Sequence, residues 1–143
     1  MLTKIPICCW RYFLSGRLVG NVLSILGQFF LYGSYREVVD YNMAWSYLKH
    51  AADVGEGNAM YHMAYMIEQR LLPSTLYHWT PRSLYRTAMR NYWCAATAHS
   101  EKAQLLLGFR YLNGIGMNKS CPHSVFFYHK LARTGLLSCS LSC

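Results

Sequence analysis

Charge is what this 143-residue chain has least of: Asp, Glu, Lys and Arg together make up 14% of it, against roughly 25% in an average soluble domain. Hydrophobic residues reach 53% and aromatics 15%. That excludes a disordered tail, which is rich in charge and poor in aromatics. The length fits one domain of ordinary size. Acidic residues are scarcer still, 6 against 14 Lys+Arg, for a formal net charge of +8. No three basic residues stand together, and there is no zinc-finger spacing. The charge therefore speaks for solubility and non-specific attraction, and no nucleic-acid partner is expected.

Long apolar runs are missing too. The stretch from Ile5 to Tyr32 is mostly apolar, but Arg11, Arg17, Asn21 and Gln28 interrupt it. No clean span of about 18 apolar residues is left for a transmembrane helix. Residues 1–17 are read as a leader, signal or anchor segment. Gly16 and Gly20 have the spacing of a membrane helix pair, so membrane association stays open beside a buried helix in a larger assembly. Six cysteines, Cys8, Cys9, Cys94, Cys121, Cys139 and Cys143, form no C-x-x-C pair. Their even number permits disulfides in an oxidising compartment without demanding them.

Convergent catalytic chemistry is absent as well. His50, His62, His78, His99, His123 and His129 share no motif, and surface or cap positions are expected for them. Cys121-x-His123 has nothing to complete a metal site. Cys94 and His99 make a poor nucleophile pair, because Cys94 adjoins Ala95-Ala96 and should be buried. Glu56, Glu68 and Glu101 lie on separate segments, and no phosphate loop occurs. The expectation is a protein that is not an enzyme and takes neither cofactor nor metal.

What is present is an internal repeat. The segment from Ala44 aligns with that from Ala88 at a constant offset of 44 residues. Ala44 pairs with Ala88, Leu48 with Tyr92, Ala52 with Ala96, Ala59 with Ala103, and Ala64 with Gly108. A third copy starts near Ser124, where Tyr128 and Ala132 follow Tyr92 and Ala96 by 36 residues. Upstream, Leu26-Gly27 resembles Leu107-Gly108.

The matched positions fall at helical spacing and predict helices over 18–31, 41–53, 57–70, 82–97, 101–112 and 122–134. Ala51-Ala52 and Ala95-Ala96 allow close approach of a neighbouring helix, with Tyr47 and Tyr92 as bulk beside them. Gly55 punctuates one turn, and His99 with Ser100 the equivalent one. Gly114 and Gly116 suit a helix end, and Pro81 and Pro122 suit helix starts, with Thr80 as an N-cap. The fold class is all-α, an α/α solenoid over 18–134, with full units at about 41–80 and 82–121, partial units at both ends, and an irregular tail over 135–143.

Ala44, Tyr47, Ala51-Ala52, Gly55, Ala59, Ala64 and Ile67, then Ala88, Tyr92, Ala95-Ala96, Ala103, Leu107-Gly108, Tyr111 and Gly114, resemble the Sel1-like repeat unit. Gly108, Phe109, Arg110, Tyr111, Gly114, Ile115, Gly116 and Cys121 are similar to a segment of the sel-1 homologue/Hrd3 branch, with Met117 where valine is usual. That resemblance implies an adaptor of the endoplasmic reticulum, luminal or membrane-associated. Its partners would be a membrane ubiquitin ligase of the Hrd1 type and misfolded client proteins. Members of the branch are several hundred residues long, so the chain is read as a short or truncated member, marginal alone and inclined to homo-oligomerise. Asn118-Lys119-Ser120 is an N-glycosylation sequon in a loop. Arg110 is read as an ion-pair or cap residue or as a partner contact, and Trp79 as an exposed anchor or a tucked-in loop side chain.

Overall fold

The computed structural model describes residues 17–33, 38–73 and 80–133. They form six α-helices and no strand: α1 (Arg17–Tyr32), α2 (Tyr41–Asp53), α3 (Gly57–Glu68), α4 (Pro81–Thr97), α5 (Glu101–Asn113) and α6 (Cys121–Ala132). Local chemistry sets their ends. The Asp40 carboxylate caps α2 by accepting from the Asn42 and Met43 amides at 2.8 and 3.1 Å. Thr80 caps α4 through the Ser83 amide, with Pro81 in the first turn. Gly114 ends α5 in the left-handed region at φ 72°, its N–H bonded to the Arg110 carbonyl. Gly55 and His99, equivalent in the repeat, both turn the chain at positive φ, 94° and 64°. Helix α3 stops at Glu68, short of the expected 70, because Arg70 adopts φ 57° and leaves the helical region.

Packing is most extensive within the pairs α1/α2, α3/α4 and α5/α6, and slighter between α2 and α3 or α4 and α5. The described residues thus form three helix pairs, in a frame one helix out of register with the one the sequence suggests. Within each pair a large residue of one helix meets a small residue of the other. A Cβ on Gly27 would lie 2.6 Å from Leu48 Cγ, and one on Gly108 would lie 3.1 Å from the Tyr128 ring. Leu48, Tyr92 and Tyr128 occupy one repeat position. Ala64, at the small position of α3, shares its core cluster with Tyr92. The alanines at 44, 51, 59, 64, 88, 95, 96 and 103 are all buried, as small positions between helices must be.

The helices stand in two rows. The backbones of α1, α3 and α5 approach one another in succession, whereas those of α2 and α4 stay further apart, as do those of α4 and α6, which meet through longer side chains such as Trp93 and Phe127 at 5.2 Å. The closer-spaced row is the inner one, so the array curves towards α1, α3 and α5. No helix among the described residues is long and apolar enough to cross a membrane. The leader segment before Arg17, the tail over 135–143 and Trp79 lie outside the described residues.

Candidate functional site: the inner face of the helical row

Helix α3 is flanked by α1 and α5 and backed by α2 and α4. Side chains that reach solvent on its inner side recur at helical spacing: Asn58, Tyr61, Tyr65 and Glu68. On α5 the corresponding surface carries Leu105 and Phe109, 48% and 50% exposed, and α1 adds Tyr32 at 54%. The result is a row of aromatic and aliphatic side chains with few charges. Tyrosine suits such a surface, since its ring packs while its hydroxyl hydrogen-bonds.

Two polar groups lie beneath this row. His62 is 1% exposed, and its Nδ1 pairs with the Tyr32 hydroxyl at 3.2 Å. Tyr32 and Tyr61 both meet its ring edge-on. Its Nε2 has no hydrogen-bond partner. Burial, and secondarily the nearby Lys102 charge, lower its pKa to about 4. His62 is therefore a neutral core residue, and the expectation of a surface or cap histidine does not hold for it. The orphaned nitrogen costs stability but leaves the aromatic surface uncharged.

The second group joins three helices. Arg110 of α5, 8% exposed, donates from Nη2 to both Glu68 carboxylate oxygens at 2.5 and 2.7 Å. The Tyr92 hydroxyl of α4 donates to Glu68 Oε2 at 2.9 Å. The guanidinium lies 5.1 Å from the Tyr92 ring centroid and its Nη1 reaches Met89 Sδ at 3.2 Å. Burial and the neighbouring Glu68 carboxylate push the Tyr92 phenol pKa upward, so it stays a donor. Glu68 was grouped in the sequence among carboxylates on separate segments. The fold brings it to Arg110, 42 residues away. The pair floors a shallow cavity of about 120 Å³ edged by Ile67, Arg70, Leu84 and Tyr85. The Tyr85 hydroxyl closes one side by donating to the Gly116 carbonyl.

This chemistry binds helices together and shapes a surface. Glu68 is neutralised by Arg110, and His62 is sealed from solvent. Cys94 is buried and His99 exposed. Among the described residues, no three His, Cys, Asp or Glu side chains come close enough to hold a metal ion. Tyr47 stacks on Phe30 at 5.5 Å, and Tyr111 stacks on His123 at 4.9 Å and on Phe127. Ala52 is half-buried beside a groove on the outer face. Gly116 turns at φ 70°. Asn118 is exposed in the segment between α5 and α6. Arg110, read as an ion pair or a partner contact, is held in the ion pair.

No protein-family model matches the chain, and no curated protein matches it. Among solved structures it is similar to a Sel1 repeat protein from Oxalobacter formigenes. The TM-score is 0.62 at 20% identity, covering 81% of this chain and 82% of that one. The chain thus has an α/α-solenoid fold, with the architecture of a Sel1 repeat protein.

Proposed function

We propose that this protein is a non-catalytic scaffold of the Sel1-like repeat family that binds other proteins through the inner face of α1, α3 and α5. The observation that carries this is the row of Tyr32, Leu105 and Phe109, all exposed, with the half-buried Tyr65 beside them. Exposed aromatic and aliphatic side chains grouped on a rigid curved face are what a protein-binding surface requires. The finer reading is an adaptor in endoplasmic-reticulum-associated degradation that engages an Hrd1-type ubiquitin ligase and misfolded clients. Its support is the resemblance over Gly108–Cys121 and the exposed Asn118 sequon, suited to a glycosylating compartment. A second reading is a generic protein-binding module outside that compartment, favoured by the likeness to a bacterial repeat protein.

Tagged full-length chain, expressed in eukaryotic cells, tests both. The adaptor reading expects co-purification with the Hrd1-type ligase and a mobility shift on deglycosylation that Asn118→Gln abolishes. Leu105→Asp with Phe109→Asp should lose the ligase while keeping the helical circular dichroism. An unglycosylated chain outside the endoplasmic reticulum overturns the adaptor reading. Undiminished partner binding by the double variant overturns the assignment of the inner face.

A further inference from the structure

We propose that the opposite, outer face carries a second binding site, one for an extended acidic peptide segment, along the crest of α4 and the groove between α4 and α2. Arg82, Arg86 and Arg90 are all exposed and stand four residues apart on α4, so they form one ridge. Among the described residues none of them has an ion-pair or hydrogen-bond partner, and α4 contains no acidic residue. The arrangement is unfavourable to the helix itself. Arg82 sits in the first turn, where the helix dipole disfavours cations. Like charges at this spacing repel across each turn. Among the described residues no carboxylate offsets that repulsion, which leaves the ridge open to a ligand anion.

The groove beside the ridge exists because the α2 and α4 backbones stay apart. It is a cavity of about 190 Å³, floored by Met60, Met63 and Cys94 and walled by Lys49, Arg90 and Asn91. Asp53 also borders it, so four cations face one carboxylate across ridge and groove. Successive arginines are separated by about 6 Å along the helix axis. Alternate residues of an extended chain are separated by about 6.6 Å. The ridge is therefore in register with Asp or Glu at every second position of an extended segment. The intervening side chains point away from the ridge. This site lies on the face away from Tyr65 and Phe109 and does not depend on the role proposed for them.

The test is fluorescence anisotropy with the full chain and a labelled peptide of alternating glutamate and leucine. Saturable binding that weakens with salt is expected. The triple variant Arg82→Gln, Arg86→Gln, Arg90→Gln should weaken it by roughly tenfold or more. Loss of fold does not complicate this variant, because the three side chains are exposed and unpartnered. A charge-matched variant, Lys102→Gln, Lys119→Gln, Arg133→Gln, should stay within about twofold of wild type, as expected if bulk net charge matters little to a local contact. Equal losses in the two variants would mean bulk charge attraction and overturn the site. So would absence of saturable binding to the wild-type chain. Tighter binding of a single-stranded RNA, lost in the same arginine variant, would assign the ridge to nucleic acid and overturn the peptide proposal.

Discussion

Removing either partner of the Glu68–Arg110 pair should have unequal consequences, and the structure says which is worse. Arg110 is 9% exposed at its side chain and Glu68 is 32% exposed. Glu68→Ala strands a buried guanidinium and removes the acceptor of the Tyr92 hydroxyl, itself 1% exposed. Breaking a fully buried pair this way costs about 3–5 kcal/mol, and the partial exposure of Glu68 places this one near the lower end, about 3 kcal/mol. Arg110→Met keeps most of the side-chain volume. It leaves a carboxylate that can rehydrate and still accepts from Tyr92, so about 1 kcal/mol is expected. The double variant contains no buried charge. It should be no less stable than Glu68→Ala alone, a coupling of about 1–2 kcal/mol. Urea unfolding followed by tryptophan fluorescence and circular dichroism measures all four members of the cycle. In a chain of this size 1 kcal/mol corresponds to roughly 3–4 °C in Tm. Additive effects, or Arg110→Met costing more than Glu68→Ala, would refute the view that this pair matters through the charge it keeps from being orphaned.

His62 supplies a pH dependence of known sign. Its folded pKa, lowered to about 4 by burial and by Lys102, lies below the unfolded value of about 6.5. The unfolded state therefore takes the proton first. Stability is complete above about pH 6.5 and falls by up to roughly 3 kcal/mol as the pH drops through that window towards 4. His62→Phe should flatten this slope in urea titrations between those pH values, whereas an unchanged slope would assign it to other groups. The two glycines of α1 should respond oppositely to alanine. Gly27→Ala drives a Cβ into Leu48 Cγ at 2.6 Å. The overpacking costs about 1–3 kcal/mol against a helix-propensity gain of about 1. Gly20→Ala meets the Glu56 Cβ at 3.3 Å and Val54 Cγ1 at 3.6 Å, a contact that a shift of a few tenths of an ångström relieves, so it should be neutral or stabilising by up to about 1 kcal/mol. Thermal melts of both variants decide the matter, and equal losses would contradict the packing described.

Much of this fold is legible in the repeat. Small residues at one offset and bulky residues at another place every helix, because a methyl-sized gap opposite Leu48, Tyr92 or Tyr128 is the condition for close packing. Gly114, Pro81 and Thr80 mark their helix ends through backbone chemistry confined to a few residues. What the repeat does not disclose depends on contacts between distant segments. Nothing in the spacing of Glu68, Tyr92 and Arg110 announces that three helices converge on them. His62 looks like a solvent residue until Tyr32 and Tyr61 close over it. The helix-pair frame is hidden for the same reason: a cyclic repeat can be cut at either turn, and only the extent of packing chooses. The ridge of Arg82, Arg86 and Arg90 is different. Its signal, three arginines at intervals of four, is present in the sequence but is lost when basic residues are counted only by adjacency.

The central claim is that the inner face of α1, α3 and α5 is where other proteins bind. A photoreactive phenylalanine analogue placed singly at Phe109 or at Phe126 tests it most directly. Both sites are exposed, 50% and 59%, but Phe126 lies on α6 in the outer row. Irradiation of intact cells should yield discrete crosslinked partners from position 109 and none of them from position 126. The same partners from both positions, or partners from 126 alone, would contradict the account.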